Sequence, residues 1–377
     1  MRLDACYFCT TPFQLISAIS IVKEKKERAD LYIISQFENA KKIANNIKKL
    51  HIFVRVKVIN DSKLKSIFIN NNVVKKLHLG MLLSYAYVNT IVKRILFTCT
   101  DYSRLYISSK AYVLRLVEYY FEKNNKNVEK VYFDDGIGSY SGFYNINTLR
   151  KREDCIKRLF SPRMTKLKCN NIYVYSPMIF KCANPGNTYV VHGISNVCNS
   201  DIDTINKVFD SSNQCKIDEP IILLDTIPFE VFEKEAATEY TRIVDSAVEL
   251  LGNNNVMIKK HPRDISQNYK RCTYYCYDSL PFEIVIANSC ISNKILISYF
   301  STAAITPKLL FDQEPYVILL NNLVDSKTPV NIEIKRVFDS VKMQYKDRAR
   351  FIIPQNKDEL FSVLKNIKSM LELVKDE

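Results

Sequence analysis

Short apolar segments alternate with longer amphipathic segments along most of this 377-residue chain. The alternation predicts strands separated by helices, which form a parallel sheet with helices on both faces. It stops in the polar stretch 196–219 and then restarts. We therefore predict an α/β protein of two Rossmann-like domains, 1–200 and 220–377, with a linker at 201–219. A cleft between two such domains is a common place for a ligand, and the final helix, 357–374, completes the second domain or packs back on the first.

An apolar strand that begins at Lys130 ends in two adjacent carboxylates, Asp134 and Asp135, followed by Gly136. Ligands of parallel α/β folds bind where the strands end, so the acid pair is a candidate site. Like charges that lie close together repel, and one carboxyl then keeps its proton to higher pH, which suits acid–base chemistry. Glycine permits a sharp turn and the close approach of a ligand. The same residues also fit an ordinary Asp-Gly turn after a strand.

The first predicted strand, residues 3–9, leads directly into a helix. Thr11 fits the N-cap of that helix, and Pro12 fits its first position. A helix that starts at the end of a strand can direct its free N–H groups toward a bound anion. An ordinary strand-to-helix turn would have the same sequence.

In the second half, one strand ends in Lys259, Lys260 and His261, and Pro262 comes next. The proline restricts His261 to extended backbone. Positive charge beside a titratable imidazole suits the stabilisation of a leaving phosphate. A surface turn that happens to contain His-Pro remains the alternative.

Two further segments of the second half place polar groups at predicted helix starts. Ser301 and Thr302 follow a strand, and their hydroxyls and free N–H groups could bind an anion or act as a plain N-cap. Glu283 opens another helix, where its carboxylate could accept hydrogen bonds from a ribose diol.

The composition favours anionic partners. The chain has 54 Lys+Arg against 40 Asp+Glu, a formal net charge of +14, which suits a nucleotide-linked substrate, an acidic polymer, nucleic acid or an anionic membrane face. No segment reaches the ~20 apolar residues of a spanning helix, and the first residues lack the build of a signal peptide. The 11 cysteines are mostly scattered singly, which favours reduced thiols. We expect a cytoplasmic protein whose charge is compatible with contact with the inner face of the cell membrane.

Several familiar motifs are missing from the sequence. No GxGxxG follows the first strand and no P-loop occurs, which disfavours dinucleotide-binding oxidoreductases and P-loop kinases. The acid pair Asp201 and Asp203 has the spacing used by metal-dependent sugar-nucleotide transferases, but it lies in the predicted linker, so we interpret it as solvated. No ligand set for a metal appears, and we predict no metal site.

Four short motifs occur in an order that resembles the bacterial sialyltransferases of glycosyltransferase family 52. They are Thr-Thr-Pro-Phe-Gln-Leu from residue 10, Asp-Asp-Gly from 134, Lys-His-Pro from 260 and Phe-Ser-Thr-Ala-Ala from 300. Related bacterial sialyl- and polysialyltransferases share the acid-acid-glycine, His-Pro and Ser/Thr motifs. The resemblance covers residues 9–304. It implies a two-domain GT-B fold that transfers sialic acid from CMP-sialic acid with inversion, without a cofactor or an obligatory metal.

The resemblance also implies roles for individual residues. One acid of the first motif would deprotonate the acceptor hydroxyl; we prefer Asp134, with Asp135 as the alternative, because successive strand residues face opposite sides. His261 would bind or protonate the departing phosphate, which Ser301 and Thr302 would also bind. The second hydroxyl position departs from the family pattern, since it is a threonine here. The residues predicted to bind substrate are Thr11, Gln14, Gly136, Lys260, Pro262, Arg263, Glu283, Ser301 and Thr302, of which Pro262, Arg263 and Glu283 would border the cytidine and ribose.

The leading hypothesis is an inverting transferase that moves sialic acid to a galactose-type hydroxyl of a bacterial surface glycan, either lipooligosaccharide or capsule. One alternative is a transferase of the same family with another nucleotide sugar. From another class, a basic nucleic-acid-binding protein or a non-catalytic glycan-assembly protein stays open. The 23 Tyr and 20 Phe fall mainly in strand and helix patterns, so we expect core packing and no nucleic acid partner. The apolar helix near 80–98 suits a core or a subunit contact equally, which leaves a homodimer open.

Replacing His261 or Asp134 by alanine is expected to lower the rate of sialyl transfer by several orders of magnitude. The first change removes the group that stabilises the leaving phosphate, and the second removes the preferred base. Initial rates with CMP-sialic acid and a galactose-terminated acceptor would measure both effects. Turnover near that of the unmodified protein would show that the replaced residue does not have its predicted role.

Overall fold

The structure is a computed structural model that describes residues 2–62, 64, 79–97, 101–108, 111–124, 127–141, 147–211, 217–226, 231–260, 273–275, 280–325 and 332–375. The chain divides into two compact units, Met1–Asp210 and Ser211–Glu377. Each unit is built on one parallel sheet with helices before and after its strands.

The first unit has a seven-stranded sheet. Its strands are β1 Arg2–Cys9, β2 Ala29–Ile34, β3 Arg55–Ile59, β4 Asp101–Ile107, β5 Glu129–Phe133, β6 Asn171–Val174 and β7 Val190–Gly193. Its helices are α1 Pro12–Lys25, α2 Ala40–Leu50, α3 Leu79–Ala86, α4 Val88–Ile95, α5 Tyr112–Lys123, α6 Ile137–Tyr140, α7 Asn147–Phe160, α8 Pro177–Ala183 and α9 Asn199–Phe209. The strand order is β3-β2-β1-β4-β5-β6-β7, which is the Rossmann order with one strand added.

The second unit has a six-stranded sheet. Its strands are β8 Ile221–Leu224, β9 Val256–Lys259, β10 Thr273–Tyr274, β11 Ile295–Ser298, β12 Tyr316–Leu319 and β13 Phe351–Ile352. Its helices are α10 Lys234–Leu251, α11 Phe282–Ala287, α12 Thr302–Phe311, α13 Ile332–Gln344 and α14 Lys357–Lys375. The strand order β10-β9-β8-β11-β12-β13 is again that of a Rossmann sheet. The predicted fold class, two Rossmann-like α/β units of the GT-B type, is confirmed.

The central strands are apolar because helices cover both faces of each sheet. Every residue of β2 is buried, as are the last five residues of β1. Cys6 and Cys9 lie in this buried part of β1 as free thiols, and burial raises the pKa of each. A thiol held neutral in this way is a poor nucleophile and metal ligand, so this pair is part of the core.

Two features differ in detail from the predicted elements, and a third selects one of two predicted alternatives. The apolar segment near 80–98 forms two helices, α3 and α4, which are separated at Tyr87. Helix α9 occupies the first part of the segment predicted as a linker, and it buries Ile205, Val208 and Phe209 on one face. Asp201 therefore lies in the first turn of a helix, where it pairs with Lys23. The last helix, α14, packs against α10 within the second unit.

Buried carboxylates stand at the amino end of the first sheet, opposite to the end where ligands bind such folds. Asp30 is fully buried and accepts a two-pronged pair of hydrogen bonds from Arg55, at 3.0 and 2.5 Å, and one from Tyr102 at 2.6 Å. Glu27 accepts hydrogen bonds from two tyrosines and forms an ion pair of 2.9 Å with Arg104. Such partners offset the cost of taking a carboxylate out of water.

Replacing Asp30 by alanine is expected to lower the unfolding free energy by about 3 kcal/mol, because Arg55 and Tyr102 lose their buried acceptor. Urea denaturation would measure the change. Asp210→Ala is the control, since Asp210 pairs with Lys42 on the surface with most of its side chain in solvent. An Asp30 variant that unfolds at the same urea concentration as the Asp210 control would contradict the network.

Candidate active site

Parallel pairing aligns the ends of the strands that carry the acid pair. Phe8 in β1 lies beside Ile107 in β4, and Phe133 in β5 lies beside Tyr173 in β6. The carboxyl ends of these four strands therefore meet at one edge of the first sheet. The strand order reverses between β1 and β4, which is where open α/β sheets bind ligands. Asp134 directly follows β5, one strand from this position.

Asp134 is completely buried, and both of its carboxylate oxygens accept hydrogen bonds. One oxygen accepts the N–H of Gly136 at 2.8 Å. The other accepts the N–H of Tyr175 at 3.0 Å and the hydroxyl of Tyr140. Burial raises the pKa of Asp134 to about 6, against the opposing effect of these donors. Asp134 thus connects the turn after β5 to the end of β6. None of its surface is accessible to a substrate.

Asp135, by contrast, is only partly buried. Burial, followed by the charge of Asp134, raises the pKa of Asp135 to about 7. The carboxamide of Gln14 lies near enough to lower this pKa, although its buried Nε2 makes no hydrogen bond of normal geometry among the described residues. A carboxyl whose pKa is raised toward neutral pH, on a residue that is not fully buried, has the properties of a general base.

The turn after the acid pair requires glycine at one position. Gly136 has φ +79° and ψ −146°, a conformation that L side chains rarely adopt, and it directly precedes the short helix α6. The hydroxyl of Ser139 in α6 accepts the backbone N–H of Asp135 at 2.6 Å. The predicted role of Gly136 in a sharp turn therefore holds, and the turn fixes the backbone of Asp135.

The end of β1 lies next to the acid pair. Thr11 caps α1 as predicted, since its hydroxyl accepts the N–H of Gln14 at 3.2 Å and Pro12 takes the first helical position. The Oε1 atom of Gln14 accepts the backbone N–H of Thr10 at 2.6 Å and its hydroxyl at 3.0 Å. Gln14 is fully buried and joins the strand end to the environment of Asp135. The structure thus brings Thr11, Gln14 and the acid motif together.

The second unit presents a similar edge. Ser298, Leu224 and Lys259, the last residues of β11, β8 and β9, lie in register across three neighbouring strands. The strand order of this sheet reverses between β8 and β11. Ser301 follows β11 and caps α12, because its hydroxyl accepts the N–H of Ala303 at 3.2 Å. Thr302, the first residue of α12, is partly exposed, as is Ser301.

Charged groups surround the same edge of the second unit. Lys260, which directly follows β9, is partly exposed, and its Nζ lies 5.6 Å from the centre of the Tyr274 ring. Lys259 is buried, with its Nζ 5.5 Å from the centre of the Tyr275 ring. Burial raises the pKa of Glu283, in the first turn of α11, while the charge of Lys259 opposes this effect. Glu283 and Lys259 are therefore electrostatic neighbours.

Three predicted site residues, His261, Pro262 and Arg263, lie outside the described residues. Within the described ranges, no group of three or more His, Cys, Asp or Glu side chains could hold a metal ion. None of the described helices is long and apolar enough to cross a membrane.

Several residues of the first site were not predicted from the sequence. Tyr140 and the backbone of Tyr175 hold Asp134, and Ser108, after β4, accepts the N–H of Phe133 at 2.8 Å. One signal was available: Ser176-Pro177 after β6 repeats the Thr11-Pro12 pattern, and Ser176 caps α8 in the same way. The contact between Asp134 and Tyr175 spans 41 residues and has no local signal.

The family model of the alpha-2,8-polysialyltransferases matches residues 6–319, which include both strand edges and the acid motif. The protein therefore belongs to the alpha-2,8-polysialyltransferase family. The predicted membership of a sialyltransferase family is confirmed at this level, whereas family 52 itself stays a prediction. No curated protein matches the sequence.

Solved structures with a similar chain path include a glycosyltransferase, a protein in complex with UDP and an epimerase. CalG4, the calicheamicin glycosyltransferase, is 10% identical with a TM-score of 0.45, and 99% of this chain and 98% of that chain are covered. LpCGTa in complex with UDP is 8% identical with a TM-score of 0.49, and coverage is 98% and 91%. UDP-N-acetylglucosamine 2-epimerase from Rickettsia bellii is 11% identical with a TM-score of 0.44, and coverage is 99% and 96%.

Replacing the two acids by asparagine is expected to change the melting temperature at pH 8 in opposite directions. The folded-state pKa of Asp135, about 7, lies above the ordinary value of an aspartic acid, 3.8, so this carboxyl increasingly destabilises the fold as pH rises from about 4 to about 7. Asp135→Asn should therefore raise the melting temperature at pH 8 and change it little at pH 4. The pKa of Asp134 is also raised, to about 6, so its ionisation has the same sign of effect on stability. Asp134→Asn should nevertheless lower the melting temperature at pH 8, because an amide nitrogen cannot accept the hydrogen bonds that one carboxylate oxygen of Asp134 accepts.

Thermal melts of the two variants and the unmodified protein, at both pH values, would measure these effects. If Asp134→Asn stabilised the protein at pH 8 as Asp135→Asn does, the described hydrogen bonds to Asp134 would be wrong.

Proposed function

We propose that the protein transfers sialic acid from CMP-sialic acid to a glycan hydroxyl, with inversion and without an obligatory metal. Membership of the alpha-2,8-polysialyltransferase family supports sialyl transfer. The observation that carries the proposal is Asp135, a partly buried residue at the carboxyl edge of a Rossmann sheet, whose carboxyl has a pKa raised to about 7. A base with these properties can take a proton from an acceptor hydroxyl near neutral pH.

Asp135 is the base in this proposal, and Asp134 is a positioning residue. This reverses the preference drawn from the sequence, because Asp134 is buried and both of its oxygens are occupied by donors from within the unit. Asp134 acts on Asp135 in two ways. It shapes the turn that carries Asp135, and its charge contributes to the raised pKa of Asp135.

The reaction is a single displacement. The acceptor oxygen attacks the anomeric carbon of the sialic acid, its proton passes to Asp135, and the bond from that carbon to the phosphate oxygen breaks with its electron pair leaving on CMP. Attack opposite to the leaving group inverts the anomeric centre. The departing phosphate needs positive charge and hydrogen-bond donors, since charge develops on its oxygen.

The second unit would supply these donors. Ser301 and Thr302 are partly exposed at the start of α12, where helix N–H groups also favour an anion. Lys260 adds positive charge at the neighbouring strand end, and His261, the next residue, would stabilise or protonate the phosphate. Glu283, with Pro262 and Arg263, would border the ribose and cytidine.

The acceptor is proposed as a terminal sugar of a bacterial surface glycan, lipooligosaccharide or capsule. A galactose-type hydroxyl is the acceptor implied by the sequence motifs. The family name adds a second acceptor, the 8-hydroxyl of a terminal sialic acid, which repeated transfer would extend to a polymer. The nearest alternative function uses the same fold with another nucleotide sugar.

The test is transfer from labelled CMP-sialic acid to galactose-terminated and to sialic acid-terminated oligosaccharides. Product or donor hydrolysis is expected. The value of kcat/KM should rise with pH to a plateau above about 7, because Asp135 must be ionised. Asp135→Asn should lower kcat by about 10²–10⁴-fold, and the exposed Asp203→Asn on α9 is the control. If neither acceptor nor water takes up sialic acid, donor-dependent thermal shifts with other nucleotide sugars would identify the alternative.

Asp134→Asn distinguishes the two roles. It should retain part of the activity, and its pH profile should move to lower pH, because the neighbouring negative charge that raises the pKa of Asp135 is gone. Complete loss of activity in Asp134→Asn together with substantial activity in Asp135→Asn would show that Asp134 is the base and that Asp135 is not.

A further inference from the structure

Exposed apolar side chains concentrate on one pair of packed helices in the first unit. Helices α3 and α7 contact each other, and five of the eleven large apolar side chains that are exposed among the described residues lie on them or directly after them. These five are Leu79 at 43% exposure, Leu83 at 44%, Tyr87 at 59%, Leu159 at 74% and Phe160 at 37%. Scattered exposed apolar residues are ordinary, whereas a cluster marks an interaction surface.

The arrangement on α3 is a stripe. Leu79, Leu83 and Tyr87 are spaced four residues apart and therefore project from one side of the helix and its end. The opposite side of α3 is buried, where Ser84 donates to the carbonyl of Gly80 at 2.6 Å. Tyr85 packs edge-to-face on Tyr119 of α5, with 4.9 Å between ring centres. The exposed stripe thus belongs to a helix whose other face is already packed against the rest of the unit.

The end of α7 is also held in place by contacts with α5. Lys157 is buried and pairs with Glu122 at 3.3 Å. The hydroxyl of Tyr119 lies 2.7 Å from that of Ser161. These contacts fix the last turn of α7, so Leu159 and Phe160 project outward from a firmly held helix end.

Positive charge adjoins the apolar residues at the end of α7. Arg158, Arg163 and Lys168 are exposed, and none of them forms an ion pair with any part of the chain that the structure describes. Lys166 is paired with Asp154 at 2.5 Å, so that pair is neutral overall. The segment from the end of α7 to Lys168 therefore carries three uncompensated cations beside Leu159 and Phe160.

We propose that this surface, the docking face, binds the anionic surface of a lipid bilayer. It consists of Leu79, Leu83, Tyr87, Arg158, Leu159, Phe160, Arg163 and Lys168. Apolar side chains that enter the acyl boundary, flanked by cations that meet anionic headgroups, are the chemistry of interfacial membrane binding. An acidic soluble polymer would engage the cations and gain nothing from Leu159, which is why the observations favour a bilayer.

The docking face is independent of the proposed sialyl transfer, because vesicle binding needs no donor or acceptor. The full-length protein would be sedimented with vesicles of phosphatidylglycerol and phosphatidylethanolamine and, separately, with vesicles of phosphatidylcholine. We expect binding to the anionic vesicles, weakened by salt, and little binding to the neutral ones.

Two variants and two matched controls locate the binding. Arg158→Glu with Arg163→Glu should lower the partition coefficient at least about 25-fold, since each basic residue near such a surface contributes about fivefold. Leu159→Ser should lower it about tenfold through lost apolar burial. The controls are Lys335→Glu with Arg336→Glu, and Met343→Ser, which make the same changes at exposed residues of α13. Unchanged melting temperatures would show that each variant is folded.

The outcomes separate the explanations. Loss of binding in both test variants, with both controls unchanged, supports the docking face. Absence of binding to anionic vesicles overturns the docking face. An equal loss of vesicle binding in the charge-reversal control assigns the binding to net charge alone and overturns it too. Loss in the charge variant with none in Leu159→Ser overturns it in favour of a polyanion site. If Leu159→Ser instead converts a dimer into a monomer in sedimentation velocity without changing vesicle binding, the face is a contact between two copies.

Discussion

The carboxylate of Asp134 is the interaction on which the candidate site depends. It receives the N–H of Gly136, the hydroxyl of Tyr140 and the N–H of Tyr175, so one buried group joins a turn, a helix and the end of a neighbouring strand. Burying a charge is costly unless donors replace the lost water. Three donors do so here, and the turn therefore has one defined geometry. Asp135 takes its position and part of its raised pKa from this arrangement.

The parallel sheets bring residues far apart in the sequence to common edges. Because all strands of a unit run the same way, every strand end of that unit contributes to one edge. In the first unit this edge collects the hydrogen-bonded groups around the acid pair, while the buried ion pairs of Asp30 and Glu27 lie at the other end of the strands. Stability and candidate chemistry are thus separated along the strand direction. The second unit collects hydroxyls and lysines at its own edge.

Local features of the sequence predicted the fold well because the determinants are local. The strand before Ser301 and the helix that begins near Glu283 occur as predicted, and Thr11 and Pro12 start α1 as their chemistry requires. Helix α9 was missed because its polar residues hid the buried face formed by Ile205, Val208 and Phe209. Such a face can be recognised only once its partner helix α2 is in place beside it.

The position of the candidate site could be predicted from the sequence, but the contacts of its residues could not. The acid pair, the glycine and the strand end could be read from the sequence, since each has a local chemical signature. The difference between Asp134 and Asp135 could not, because it arises from Tyr140 and from a backbone N–H 41 residues away. Neighbouring identical side chains differ only through their surroundings. The partners of Lys259 were equally hidden, because Tyr275 follows a separate strand.

The central position of β1 has a consequence for biosynthesis. This strand pairs with β2 on one side and β4 on the other, yet about 90 residues separate the end of β1 from the start of β4. At a synthesis rate of about 5–20 residues per second, β1 waits roughly 5–20 s for its second partner. During that time an apolar strand with two reduced cysteines has one unpaired edge. The nascent chain therefore needs protection from aggregation at its beginning more than at any later strand of this sheet.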